Sequence, residues 1–76
     1  MIGSGEIKEM LLDRFSGAIV TVSSDDNIHF SVEVLWGGFK GLSRVKQHQL
    51  VNSVLSSYIS SGELHALALK TRYIGK

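Results

Sequence analysis

Three histidines, His29, His48 and His65, are the residues of this chain best suited to chemistry. Imidazole titrates near neutral pH and is the commonest protein metal ligand, so each is a candidate base or ligand. No two of them have the H-x₃-H spacing that would put both rings on one metal from a single helix. Cysteine is absent. That removes a thiol nucleophile, a CxxC redox pair, a disulfide framework and any Cys-based metal cage built from this chain alone. No serine sits in a G-x-S-x-G elbow. The paired carboxylates Asp25 and Asp26 fall in a polar turn sequence, where no partner would tune them for acid–base work. A self-contained enzyme is therefore not expected. A free-standing zinc site would need all three histidines at one point, and their sheet and helix positions argue against it.

Basic residues supply the second kind of chemistry. Gly38-Phe39-Lys40-Gly41 is a literal GxxG, followed by Arg44 and Lys46. In KH domains such a loop clamps a nucleic-acid backbone. Four-residue matches are common, and the simpler reading is a strand-to-helix turn with Phe39 anchored in the core. Charge is unevenly distributed. Residues 1–33 hold Glu6, Glu9, Asp13, Asp25, Asp26 and Glu33 against Lys8 and Arg14. Residues 34–76 hold Lys40, Arg44, Lys46, Lys70, Arg72 and Lys76 against Glu63 alone. The net charge is only +1, yet this asymmetry predicts a basic face suited to an acidic partner or nucleic acid.

The elements that must position these residues can be read from periodicity. Ser4 to Phe15 predicts a helix, capped by Ser4, with Ile7, Met10, Leu11 and Phe15 on one stripe and Gly17 as its stop. Ala18 to Val22 is a β-branched run. The polar turn at residues 23–27 joins it to Ile28–Trp36, where apolar residues alternate with His29, Ser31 and Glu33. The two runs predict a hairpin. Leu42 to Ser60 is helical in pattern, but its stripe (Leu50, Val51, Val54, Leu55, Tyr58, Ile59) runs back onto polar Gln47 and Arg44. Two helices meeting near Gln47–Gln49 would accommodate this, with His48 capping at their junction. His65 to Thr71 is apolar on both faces and predicts an interior strand. The resulting order is α-β-β-α-α-β, an α+β fold. A strand–helix–strand crossover favours parallel pairing, giving a three-stranded mixed sheet with helices on one face.

Length and composition agree with one small domain spanning residues 1–76. With 43% apolar and 20% charged residues, a core and a soluble surface are both expected. No run approaches the roughly 20 apolar residues of a membrane helix. The N-terminus lacks a basic and then apolar leader. A cytoplasmic, membrane-free protein is the expectation.

Two blocks carry a family resemblance. Phe39-Lys40-Gly41-Leu42-Ser43-Arg44-Val45-Lys46-Gln47-His48-Gln49-Leu50-Val51 and His65-Ala66-Leu67-Ala68-Leu69-Lys70-Thr71 together resemble the BolA family, closest to its YrbA/IbaG branch. The likeness runs over about residues 5–71 and implies a class II KH-like fold. It also implies pairing with a monothiol glutaredoxin, and a role in binding or transferring a [2Fe–2S] cluster. Some members act as stress-responsive transcriptional regulators. The family's histidine in the second block corresponds to His65, implying that His65 is the main cluster ligand. The family's second ligand or helper lies between the first two strands, where His29 is the only candidate.

The chemistry behind these implications is coherent. A [2Fe–2S] cluster usually needs four ligands, and imidazole can replace thiolate. A chain without cysteine offers imidazole only. Thiolates would come from the glutaredoxin and its glutathione. The chain alone would then be a cluster-free monomer, and the loaded form a heterodimer. Because a histidine ligand must be neutral, sharing should weaken as pH falls below about 6.5. The basic residues Lys40, Arg44, Lys46, Lys70 and Arg72, with His48, are the expected surface for docking an acidic partner or nucleic acid. Family members often flank the middle histidine with arginines. Gln47 and Gln49 stand there instead, which lowers the expected phosphate affinity. In this fold class the functional GxxG lies between the consecutive helices, so Gly38–Gly41 is expected to be coincidental.

Overall fold

The apolar stripe of the first segment folds as a helix, α1, over Ser4–Arg14, with Ile7 and Leu11 fully buried. The structure is a computed structural model that describes residues 2–26, 29–64 and 66–75. Gly3, and not Ser4, is the N-cap of α1. Ser4 already has helical backbone, so its side chain cannot reach forward as a cap would. Phe15 ends the helix and is buried. Gly17 follows at φ +82°, a conformation that L side chains rarely adopt, and turns the chain into the sheet.

Strand β1 (Ile19–Ser23) pairs antiparallel with β2 (His29–Trp36), with Val20 opposite Val34. The hairpin is thus as expected; its proposed first residue on β2, Ile28, lies outside the described residues. Along β2, Phe30, Val32 and Val34 are buried while Ser31 and Glu33 are exposed. This period-two alternation marks a sheet covered on one face only. Helix α1 packs over β1 on that face.

After Trp36 the chain makes one turn of 3-10 helix, Gly37–Phe39. Phe39 is fully buried and meets Trp36 edge-on, at a 5.3 Å ring separation and 88°. Phe15 lies 4.9 Å from Trp36 and 5.9 Å from Phe39, completing an aromatic triangle. The indole Nε1 of Trp36 donates to Ser16 O at 2.8 Å, so its polar atom is satisfied. Gly38 lies under that indole: a Cβ there would come within 2.4 Å of the ring. Gly41 has φ +78°. Both glycines of the literal GxxG therefore have local structural reasons, and Phe39 anchors the turn as expected.

The second helical region is one continuous helix, α2, over Arg44–Ser60. This corrects the expectation of two helices meeting near Gln47–Gln49. The physical reason is Gln47. It is only 8% exposed and occupies the buried stripe with Val51 and Leu55. Its Nε2 donates to Leu42 O at 2.9 Å. A polar residue thus points inward because its hydrogen bond is made, while Val45 faces solvent at 66% exposure. Ser43 caps the start, its Oγ accepting from Lys46 N at 3.2 Å. Gly62, at φ +84°, follows the C-terminus, and Leu64 N returns to Tyr58 O.

Strand β3 (Ala66–Tyr73) runs parallel to β2, as the crossover rule predicts. The sheet order is β1-β2-β3, so β3 is an edge strand and β2 is central. The expectation of an interior β3 is corrected. Its register explains the misleading pattern: Leu67 and Leu69, half-buried, pair with Phe30 and Val32 beneath α2, whereas Ala68 faces the open side. A small alanine on an exposed face leaves too little apolar surface to require a cover.

Candidate metal and partner surface

Strand register brings the β1–β2 connection, with His29, level with the start of β3. The parallel ladder begins with His29 opposite Ala66, the residue next in sequence after His65. His65 itself lies outside the described residues. His29 occupies the first position of β2, at the β1–β2 connection, with its side chain 69% exposed.

His29 is held by Asp26. The Asp26 Oδ1 accepts the His29 backbone N–H at 2.9 Å, and its Oδ2 lies 2.8 Å from His29 Nδ1. Ser24 Oγ also donates to Oδ1, at 3.4 Å. An open cavity of about 640 Å³ adjoins this end of the sheet and is lined by Asp25, Asp26, His29, Ser31, Leu67 and Ala68, among others. No grouping of three metal-ligating side chains occurs among the described residues. The donor chemistry at His29 is imidazole without thiolate, which would suit one ligand position of a metal or cluster.

The expected basic surface divides into two parts. Arg44, His48, Lys70 and Arg72 line one cleft of about 370 Å³ beside β3, together with Glu33 and Thr71. Lys40 and Lys46 are exposed but stand outside it. Helix α2 contributes Arg44 from its first turn and His48 one turn later, so (i, i+4) spacing aligns them. Lys70 and Arg72 come from alternate positions of β3. His48 does not cap a helix junction, because α2 is unbroken there. Its Nε2 is buried without a hydrogen-bond partner among the described residues, as is Thr71 Oγ1 in the same cleft.

Sequence reasoning missed Asp26. It assigned Asp25 and Asp26 to a turn and gave neither a role. The available signal was an aspartate three residues before a histidine at a strand start, a spacing that lets one carboxylate bond the backbone and ring together. Thr71 was likewise read only as part of a strand.

Comparison with known proteins agrees with this architecture. The family model described as BolA-like protein matches residues 13–74. The acid stress protein IbaG of Escherichia coli K12 is 37% identical over 67 residues, covering 88% of this chain and 79% of IbaG. An uncharacterized protein of Haemophilus influenzae is 39% identical over 71 residues, covering 93% and 82% respectively. The solved structure of BolA1 from Arabidopsis thaliana superposes with a TM-score of 0.81 at 26% identity, covering 96% of this chain and 94% of that one. A matched model over most of the chain, relatives above one-third identity and the same strand and helix arrangement agree: this chain belongs to the BolA family.

Proposed function

We propose that the chain is a BolA-like accessory protein and not an enzyme. It pairs with a monothiol glutaredoxin and shares a [2Fe–2S] cluster, as cargo to be held or passed on in iron–sulfur assembly or iron homeostasis. His65 is the principal ligand and His29 the second, with thiolates from the glutaredoxin and glutathione. The observation that carries this reading is the pairing of His29 with Ala66, which brings the β1–β2 connection to the start of β3. The reading takes its ligand pair from these two neighbouring segments. The absence of cysteine supports sharing over self-sufficiency. The Arg44, His48, Lys70 and Arg72 cleft supplies a cationic docking surface for an acidic partner.

The test is reconstitution of the chain with a monothiol glutaredoxin and glutathione, followed by visible absorption and circular dichroism. New bands saturating at a one-to-one ratio are expected. A spectrum equal to the sum of the separate proteins contradicts the reading.

Arg44 together with the exposed Lys40 and Lys46 supports a second reading, a KH-like nucleic-acid-binding regulator. The relative named as an acid stress protein favours a stress-linked role under either reading. DNA binding predicts affinity that falls steeply with salt and is lost in the Arg44→Ala, Lys46→Ala double variant. Gel-shift titrations at two ionic strengths distinguish it from glutaredoxin docking.

A further inference from the structure

We propose that Asp26 is a positioning residue that presents His29 Nε2 as a metal ligand. The proposal rests on the metal-sharing role of His29 given above and assigns the atom and the residue that prepares it. An ionised carboxylate can only accept hydrogen bonds. Its 2.8 Å contact with Nδ1 therefore places a proton on Nδ1. In the neutral ring the lone pair is then on Nε2. The other oxygen of the same carboxylate holds the His29 main chain at 2.9 Å, so ring and backbone are fixed by one group. This is the carboxylate–histidine arrangement that orients imidazole ligands toward metals, and loss of such a partner typically weakens metal binding about 10–100-fold. His29 projects from the first position of β2 with most of its side chain open to solvent, so Nε2 is accessible to a metal brought by a partner. An exposed pair of this kind adds little to folding stability. Its removal is therefore a test of ligand preparation and not of the fold.

Asp26→Asn tests the role through the ring itself. The asparagine oxygen can keep the backbone bond while its amide N–H faces Nδ1. The ring must then accept at Nδ1 and carry its proton on Nε2. Long-range ¹H–¹⁵N spectra of the apo chain should show the Nδ1–H tautomer in wild type and the Nε2–H tautomer in Asp26→Asn. Titration with Zn²⁺ alone, followed at the His29 ring resonances, should require at least about tenfold more metal in Asp26→Asn. Asp25→Asn removes the same charge from the neighbouring position and should titrate like wild type. An Nε2–H tautomer in the wild-type protein, or equal Zn²⁺ titrations for wild type and Asp26→Asn, overturns the proposal. So does an equal loss in Asp25→Asn, which would make the effect one of charge alone. If Zn²⁺ binds through Nε2 but glutaredoxin never shares a cluster, the cluster reading fails while the role of Asp26 stands. If the cluster is shared equally well by Asp26→Asn, the role of Asp26 fails and the cluster reading stands.

Discussion

Single residues in this chain can be given roles because their polar atoms are either satisfied or conspicuously not. His29 is tied to Asp26 by ring and backbone, leaving one nitrogen for an outside ligand. Gln47 is buried but bonded to Leu42 O, and that bond gives a stability prediction. Gln47→Leu preserves the side-chain bulk yet strips Leu42 O of this partner. A loss of about 1–3 kcal/mol is expected in urea unfolding, in spite of the added hydrophobicity. An unchanged midpoint would show that the hydrogen bond is dispensable. Gly38 makes a sharper case. A methyl group there would collide with the Trp36 ring, so Gly38→Ala should cost about 1–3 kcal/mol by forcing the aromatic triangle apart. The same variant should shift Trp36 fluorescence. At this scale the sequence was partly legible. His29 was visible as a candidate because of its type and place in the hairpin. Asp26 was not, because turn composition predicts a bend without saying which side chain folds back on which ring.

Elements were legible where burial and hydrophobicity coincide. Helix α1, the hairpin and the turn around Phe39 follow from apolar spacing and glycine placement. Helix α2 was split in anticipation because a polar residue, Gln47, sits where an apolar one was required and an apolar residue, Val45, faces solvent. Strand β3 was misplaced for a similar reason: Ala68 is apolar but small enough to stand uncovered. The continuity of α2 leads to a prediction at this scale. Ser43 is its N-cap and accepts the Lys46 N–H, so Ser43→Ala should lower stability by about 1 kcal/mol. It should also slow no cluster exchange, since the sheet end carrying His29 is built from other elements. Native-state hydrogen exchange would register the loss as weaker protection in the first turns of α2. Loss confined to β3 would contradict this assignment of the cap.

At the scale of the whole molecule, the sheet would keep the two proposed roles apart. Its β2–β3 pairing begins at His29 and Ala66, the end to which the proposed ligands are assigned. Farther along β3, Lys70 and Arg72 meet Arg44 and His48 from α2 in the cationic cleft. Partner docking and ligand supply should therefore be separable. Arg44→Ala combined with Arg72→Ala should weaken glutaredoxin association and its sensitivity to salt. His65→Ala should leave apo association largely intact while removing cluster binding. Calorimetric titration of apo proteins at low and high salt checks the first expectation. No helix among the described residues is long and apolar enough to cross a membrane. The proposal of widest consequence is that a cluster on this cysteine-free chain takes imidazole from it and thiolate from a partner. That claim is tested most directly by pulsed electron paramagnetic resonance of the reduced cluster in the glutaredoxin complex. Strong nitrogen hyperfine coupling from an iron-bound imidazole is predicted for wild type, with the His65 contribution lost in His65→Ala. A cluster with no strongly coupled nitrogen, or one unchanged in His65→Ala, would contradict the account.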